Sequence, residues 1–432
     1  MQARLKTSRV IAACLIALGV LAYFSRQDML LVDDGRRRYE ALARIMEHIP
    51  LQGTPFSMVM PLFAAPLYAI GRLLGNPSQA VSFFSLLVTL CFLPLFWSSL
   101  RRLADEETAF LTLLLLLGSS MLLANTPYFE PEPFSVVLMG LAILWFHEGR
   151  TRMAAVAAVL STANIPASLI GALFVSLRWA WQRGHWRWLC LPILAALELA
   201  LECWLFRGGA TPLSLQRPSH PGILPFSQSA DFSYPGLFGL LNILMSFGKG
   251  LLFFCPGLLL WWIVQPRLRE RERLLLGDML AYLVGLILVY SHWTGWAGDD
   301  SWGPRFFLFG SLPACILLAI ALREKATTTT GLLLTLAVLI ASAWVGIDGL
   351  VYQLNGLQRV FGSQYYFATY STPELSSLFQ PFGRGLLVID GRARTLVFWS
   401  LLGANLSLAY PLLKQLAERF VQWDIPEIKW KF

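Results

Sequence analysis

Residues 110–146 read FLTLLLLLGSSMLLANTPYFEPEPFSVVLMGLAILWF. Two apolar runs flank a short loop, and the loop holds every charged residue of the stretch, Glu130 and Glu132. An uncharged apolar run of about 20 residues is long enough to cross the hydrocarbon core of a bilayer as a helix. A pair of such runs joined by a short polar turn is a transmembrane hairpin.

The same alternation continues outward in both directions. Apolar runs occupy about 10–25, 80–100, 108–125, 133–147, 153–165, 166–182, 188–206, 238–265, 274–292, 306–322, 328–350 and 395–413. The expected fold is therefore an all-α polytopic membrane protein with about 12 spans. Composition agrees. The 432 residues are 56% hydrophobic and 14% charged, with a mean hydropathy of +0.58. A soluble domain is about 45–50% apolar and about 25% charged, so a soluble multidomain protein is excluded, along with disorder and coiled coil.

Segment 54–75 is apolar too, but Pro55, Pro61, Pro66, Gly71 and Arg72 interrupt it. It reads as interfacial or re-entrant helices rather than a straight span. The N-terminus places Arg4, Lys6 and Arg9 before an apolar run from Val10 to Phe24 with no small-residue cleavage site after it. That pattern reads as an uncleaved first transmembrane helix. The six cysteines form no CxxC pair and mostly fall inside apolar runs, as small buried side chains do.

Lys and Arg number 34 against 26 Asp and Glu, a net charge of +8. The membrane explains this without a nucleic-acid partner, because cytoplasmic loops are enriched in basic residues. With a cytoplasmic N-terminus, the short loops at 101–107, 148–152, 178–187, 266–273 and 323–326 and a tail at 414–432 are cytoplasmic, and they are basic. The chain then reads as one transmembrane domain, 1–432. Its outer connections are 26–79, 126–132, 207–237, 293–305 and 351–394. The longer loops lie on that outer face, so the active site is expected there. The run Arg36-Arg37-Arg38 breaks the charge rule and asks for a reason.

Four constellations on the outer face carry chemistry. Asp33-Asp34 opens a segment, 36–48, in which Tyr39, Leu42, Ala43 and Met46 alternate with Arg37, Glu40, Arg44 and Glu47 at helical spacing. This is an amphipathic helix at the membrane surface. The two carboxylates serve either as its N-terminal cap or as a general base or cation ligand. Glu130-Pro131-Glu132 is either an ordinary acidic helix start or a second acidic wall. Lys249 lies between Gly248 and Gly250 at membrane depth, either snorkelling or meeting an anion. The densest stretch runs from His292 to Phe306, with Trp293, Trp296, Asp299, Asp300, Trp302 and Arg305. An aromatic interfacial belt accounts for its tryptophans. Gly303-Pro304-Arg305 leading into a helix points to phosphate. Among the remaining charges, Glu198 and Glu202 form a polar or packing pair within a span, Asp348 lies near a span end, and His147 is expected to be solvated.

In this order, the features resemble the GT-C superfamily of membrane glycosyltransferases, in the branch that uses a polyprenyl-phosphate sugar donor. That branch includes protein mannosyltransferase-like, aminoarabinose transferase-like and lipopolysaccharide sugar transferase-like proteins. The resemblance rests on Asp33-Asp34 with its amphipathic helix, PLFAAPLYAIGRLLG (61–75), Glu130/Glu132, SFGKGLLFFCPGLLL (246–260) and WTGWAGDDSWGPRFFLFGSLP (293–313). It covers about residues 1–325. The family usually carries Asp where this chain has Glu-Pro-Glu, and a longer outer loop.

The resemblance implies a GT-C-like bundle with juxtamembrane helices in the first outer loop. It implies an enzyme moving a sugar from a lipid-linked donor to a glycan, lipid or protein acceptor, with inversion, on the outer side of a bacterial inner membrane. Asp33 or Asp34 would be the base. Lys249, Arg305 and His292 would hold the donor phosphate. Glu130, Glu132, Asp299 and Asp300, with Tyr39 and the tryptophans Trp293, Trp296 and Trp302, would bind sugar, acceptor or lipid. A divalent cation, Mg or Mn, on Asp33, Asp34 and Glu132 is left open. The reading requires the Asp33-Asp34 pair within about 15 Å of Arg305, because donor and acceptor must meet at reactive contact. The alternative is a secondary transporter or flippase, which would place its charges at mid-membrane on broken helices.

Overall fold

A computed structural model of the chain describes residues 2–25, 28–49, 54–206, 232–298, 301–324, 328–352, 366–383, 389 and 391–423. Among them every regular element is helical, apart from an isolated bridge between Leu30 and Tyr128. Each of the twelve apolar runs contains helix. Seven of the helices are long and apolar enough to cross a membrane: Thr7–Phe24, Pro77–Leu103, Trp186–Phe206, Glu270–Tyr290, Arg305–Arg323, Thr329–Val351 and Arg392–Phe420.

The other five runs make shorter or interrupted helices, for local reasons. Helix α7 (Glu106–Gly118) stops where Ser119 and Ser120 follow Gly118, and the chain closes in a 3-10 turn at Leu123–Asn125. Helix α8 (Pro131–His147) starts late, at a proline. Helices α9 (Thr151–Asn164) and α10 (Leu169–Arg183) are separated by a turn beginning at Pro166. The run 238–265 is not one span. It divides into α12 (Gly236–Met245), α13 (Leu251–Phe254), a 3-10 segment (Pro256–Leu260) and α14 (Trp261–Val264). Glycines flank Lys249, and Pro256 removes a backbone donor, so a continuous ladder cannot form.

The segment read as interfacial folds into short helices. Helix α2 (Asp33–Met46) is followed by the short helices α3 (Val59–Phe63) and α4 (Ala65–Leu73). Leu42, Met60, Tyr68, Val81, Phe84, Phe129 and Phe134 form a separate apolar cluster, with Tyr39, Ala43 and Met46 packed against it. Glu202, on α11 (Cys190–Phe206), is buried and accepts from Ser57 Oγ at 3.0 Å and from the backbone N–H of Met58. Asn164 accepts from the N–H of Met60 at 3.1 Å and donates to the carbonyl of Pro131 at 3.0 Å. The juxtamembrane helices are thus tied to the spans by buried polar bonds.

The tail expected at 414–432 continues the C-terminal helix, Arg392–Trp423, as far as the described residues go. His147 is not solvated. Its side chain is 10% exposed and lies 3.0 Å from Asp278 on α15 (Glu270–Tyr290). The buried Asp278 also accepts from Arg178, Trp179 and Gln182.

Candidate functional site

Among the described residues, the first loop and the 126–132 loop meet at one end of the bundle. Leu30 N–H donates to the Pro127 carbonyl at 2.8 Å, joining the first loop to the 126–132 loop. Ser85 Oγ, near the start of α6 (Phe84–Leu103), donates to the Tyr128 carbonyl at 2.8 Å. Gly35 lets α2 approach that loop: a Cβ there would sit 2.7 Å from the Phe129 carbonyl oxygen. Only glycine fits, so the residue after Asp34 brings the acidic helix start against Glu130.

Arg305 lies at the centre of this junction, at the start of the 3-10 turn Arg305–Gly310 leading into α16 (Ser311–Arg323). Its guanidinium is 3.4 Å from Glu130 Oε1, 3.8 Å from Asp34 Oδ2 and 3.9 Å from Glu132 Oε1. Arg38 donates to Glu130 Oε2 at 3.0 Å and lies over the Phe56 ring. Three carboxylates and two guanidiniums from three separate stretches therefore form one cluster. The Asp34–Arg305 distance is far inside the 15 Å the sequence reading required.

Burial dominates the electrostatics of Glu130. It pushes Glu130 up to about 7, against the pull of Arg305 and Arg38 and with help from Glu132 and Asp34. Near neutral pH this carboxyl is therefore poised between charged and neutral forms. Arg38 was hidden in the Arg36-Arg37-Arg38 run. Helical phase separates the three: Arg38 is buried beside Ala41 and Leu42, while Arg36 and Arg37 are exposed.

The other proposed site residues fall into two groups. Lys249 is buried, and its ammonium donates to the Gly303 carbonyl at 3.1 Å, to Ser301 Oγ at 3.2 Å and to the Ser301 carbonyl. It binds the turn that leads into Arg305. Trp302 is buried and donates from its indole to Asp348 Oδ2 at 2.8 Å, while Trp296 is buried against Tyr370. These two indoles are packed inside the protein and do not line a groove. Trp293 is half-buried against Tyr290 and Phe306. His292 is exposed, with its Nδ1 3.0 Å from the Leu288 carbonyl, and its ring covers Gly236. Tyr39 packs beside Tyr68, away from Arg305, in the juxtamembrane cluster. Asp33 is exposed at the start of α2, with φ 43°. Asp299 and Asp300 lie outside the described residues.

Among the described residues no group of three or more His, Cys, Asp or Glu side chains is disposed to hold a metal ion. Asp34, Glu130 and Glu132 converge on the Arg305 guanidinium.

Sequence reasoning left Arg38 undistinguished within its run, placed Asp348 only near a span end, and did not single out Asn164. Helical phase was a signal for Arg38. Asp348 and Asn164 have partners far away in the chain and left no local trace.

These elements define a polytopic all-α membrane protein, and its fold is similar to that of a solved bacterial membrane protein. The chain is similar to the crystal structure of ArnT from Cupriavidus metallidurans bound to undecaprenyl phosphate, with TM-score 0.50 and 14% sequence identity, over 96% of this chain and 81% of that one. It is similar also to the apo structure of the same protein, with TM-score 0.47 and 15% identity, over 96% of this chain and 80% of that one. No protein-family model matches the chain, and no curated protein matches it.

Proposed function

We propose that the chain is a glycosyltransferase that moves a sugar from a polyprenyl-phosphate donor to a glycan, lipid or protein acceptor. The observation that carries this reading is the Arg305 cluster: a guanidinium at a helix start, with Asp34, Glu130 and Glu132 around it and Arg38 behind Glu130. The solved neighbour that shares the fold was crystallised with undecaprenyl phosphate. A lipid phosphate is the kind of anion that Arg at a helix start binds.

In this reading Asp34 accepts the proton of the acceptor hydroxyl or amine as that group attacks the anomeric carbon. The bond from that carbon to the phosphate oxygen breaks, and the configuration inverts. The electron pair leaves on the lipid phosphate, where Arg305 stabilises it. Lys249 holds the turn that carries Arg305. Glu130 sets the charge beside Arg305: with its proton on, one negative neighbour is lost and an anion binds more readily. Glu132 and Trp293 are assigned to sugar or acceptor. No step is routed through a metal. We place the site on the extracytoplasmic side of a bacterial inner membrane, because basic residues concentrate in the short loops of the other face.

The test is transfer by purified protein in liposomes with a panel of polyprenyl-phosphate sugars. Release of polyprenyl phosphate, lost in Arg305→Gln, is expected. Uptake of a solute without consumption of any donor would favour the transporter reading and sink this one.

A further inference from the structure

A second polar region lies at the opposite end of the bundle. Helix α8 has 17 residues, and at 1.5 Å per residue its far end is about 25 Å from Glu130. There a cavity of about 510 Å³ opens, lined by Arg102, Arg150, Arg183, Arg271 and Glu148 among others. The cavity takes no part in the proposed transfer.

Its charge is one-sided. Four guanidiniums face one carboxylate, Glu148, which lies 3.0 Å from Arg150 and 3.5 Å from Arg102. Arg183 donates one nitrogen to the Phe146 carbonyl at 3.1 Å and lies over the Phe146 ring. A guanidinium has five N–H donors, so each of these contacts leaves most of the fork available. An excess of positive charge with planar donors suits phosphate, which Arg binds in bidentate fashion.

The position of the cavity selects the source of that phosphate. Trp181 and Trp186 are 86% and 69% exposed, and they bracket Arg183 in the chain. Exposed indoles at the ends of spans sit at the level of the lipid headgroups. The cavity therefore opens where headgroups lie, and its contents share that plane. We infer that it is a binding site for the phosphate-bearing headgroup of an anionic lipid, held by Arg102, Arg150, Arg183 and Arg271.

The experiment uses the full-length protein in detergent, with native mass spectrometry and thermal stability as readouts. The lipids are phosphatidylglycerol and phosphatidylcholine, and inorganic phosphate is the soluble control. Selective retention of phosphatidylglycerol, with a rise in Tm, is expected. The double variant Arg102→Gln/Arg271→Gln alters half-exposed or exposed side chains. It should weaken phosphatidylglycerol binding about thirtyfold, from the loss of two cations beside an anionic headgroup. Equal retention of the two lipids by the wild type overturns the proposal without recourse to any variant. Undiminished binding in a folded double variant overturns it too. Inorganic phosphate binding as tightly as phosphatidylglycerol overturns the lipid as the source.

Discussion

The two ends of the bundle each hold a partly buried arginine among acids, and they hold it differently. At the far end Arg323 donates to Glu272 at 2.9 Å, to Thr108 at 2.8 Å, to Glu324 at 2.8 Å and also to Asp105. Asp105 caps α7 at the same time, accepting from the Thr108 N–H at 2.8 Å. This is a clamp that ties three helix ends together. At the site end the carboxylates around Arg305 stand off at 3.4, 3.8 and 3.9 Å. Three carboxylates share one guanidinium there, so an anionic ligand would compete with them for it. One arginine joins helix ends, and the other gathers the acids of the proposed site.

Substituting the two arginines gives the largest contrast. Arg305→Gln should lower transfer by about 10²–10³-fold, as the loss of a charge-stabilising donor does, while Tm barely moves. Arg323→Ala should do the reverse. It leaves Glu272 and Asp105 without their buried partner and costs about 3–5 kcal/mol of stability, while the activity of the folded fraction is retained. Thermal melts and kcat/KM measured on the same two preparations check both halves. If Arg305→Gln mainly unfolds the protein, the contrast fails.

Asp34→Asn tests the base and should cost about 10²–10⁴-fold in rate. Asp33→Asn, at the exposed neighbour, should leave most activity, because only Asp34 faces Arg305. Full activity in both variants would remove the proposed base.

Glu130 sharpens the comparison through pH. Its proton affinity is raised in the folded protein to about 7, from an ordinary carboxylate value of 4.5. The folded state therefore binds more protons than the unfolded chain between these values. The stability this group contributes is fully present below pH 4.5 and is lost as pH rises through 7. Protonation also removes a negative charge beside Arg305, so binding of a phosphodiester donor should strengthen as pH falls through 7. Glu130→Gln should flatten both profiles relative to wild type. Parallel pH profiles for the two proteins would contradict the assignment.

A smaller effect than at Arg305 or Asp34 is expected at Lys249. Lys249→Met removes its bonds to Ser301 and Gly303 and leaves their carbonyls short of a donor. It should lower Tm and kcat/KM together, by about tenfold in rate, at the cost of roughly one buried charged hydrogen bond. A direct phosphate ligand would instead lose rate with Tm unchanged.

Much of this was legible in the sequence, for physical reasons. Hydrocarbon thickness constrains apolar runs, so all twelve helical regions appeared as runs. Short acidic loops between apolar runs pointed to Glu130 and Glu132, and Gly303-Pro304-Arg305 pointed to Arg305. The break around Lys249 was visible as Gly248, Gly250 and Pro256, but it was outweighed by the apolar residues around it. Arg38 was legible only through helical phase. The burial of Trp296 and Trp302 was not legible, because an indole in a loop reads the same whether it meets lipid, sugar or protein. Asp348 finds Trp302 across 46 residues, a pairing created by the fold alone.

The central claim is that the Arg305 guanidinium at the site end meets a lipid phosphate during sugar transfer. The most direct measurement is polyprenyl phosphate released from a labelled lipid-linked sugar by purified wild-type protein and by Arg305→Gln. The account predicts release by the wild type and a fall of at least about a hundredfold in a variant of unchanged Tm. Equal release by the two proteins, or none from any donor with wild type, would contradict it.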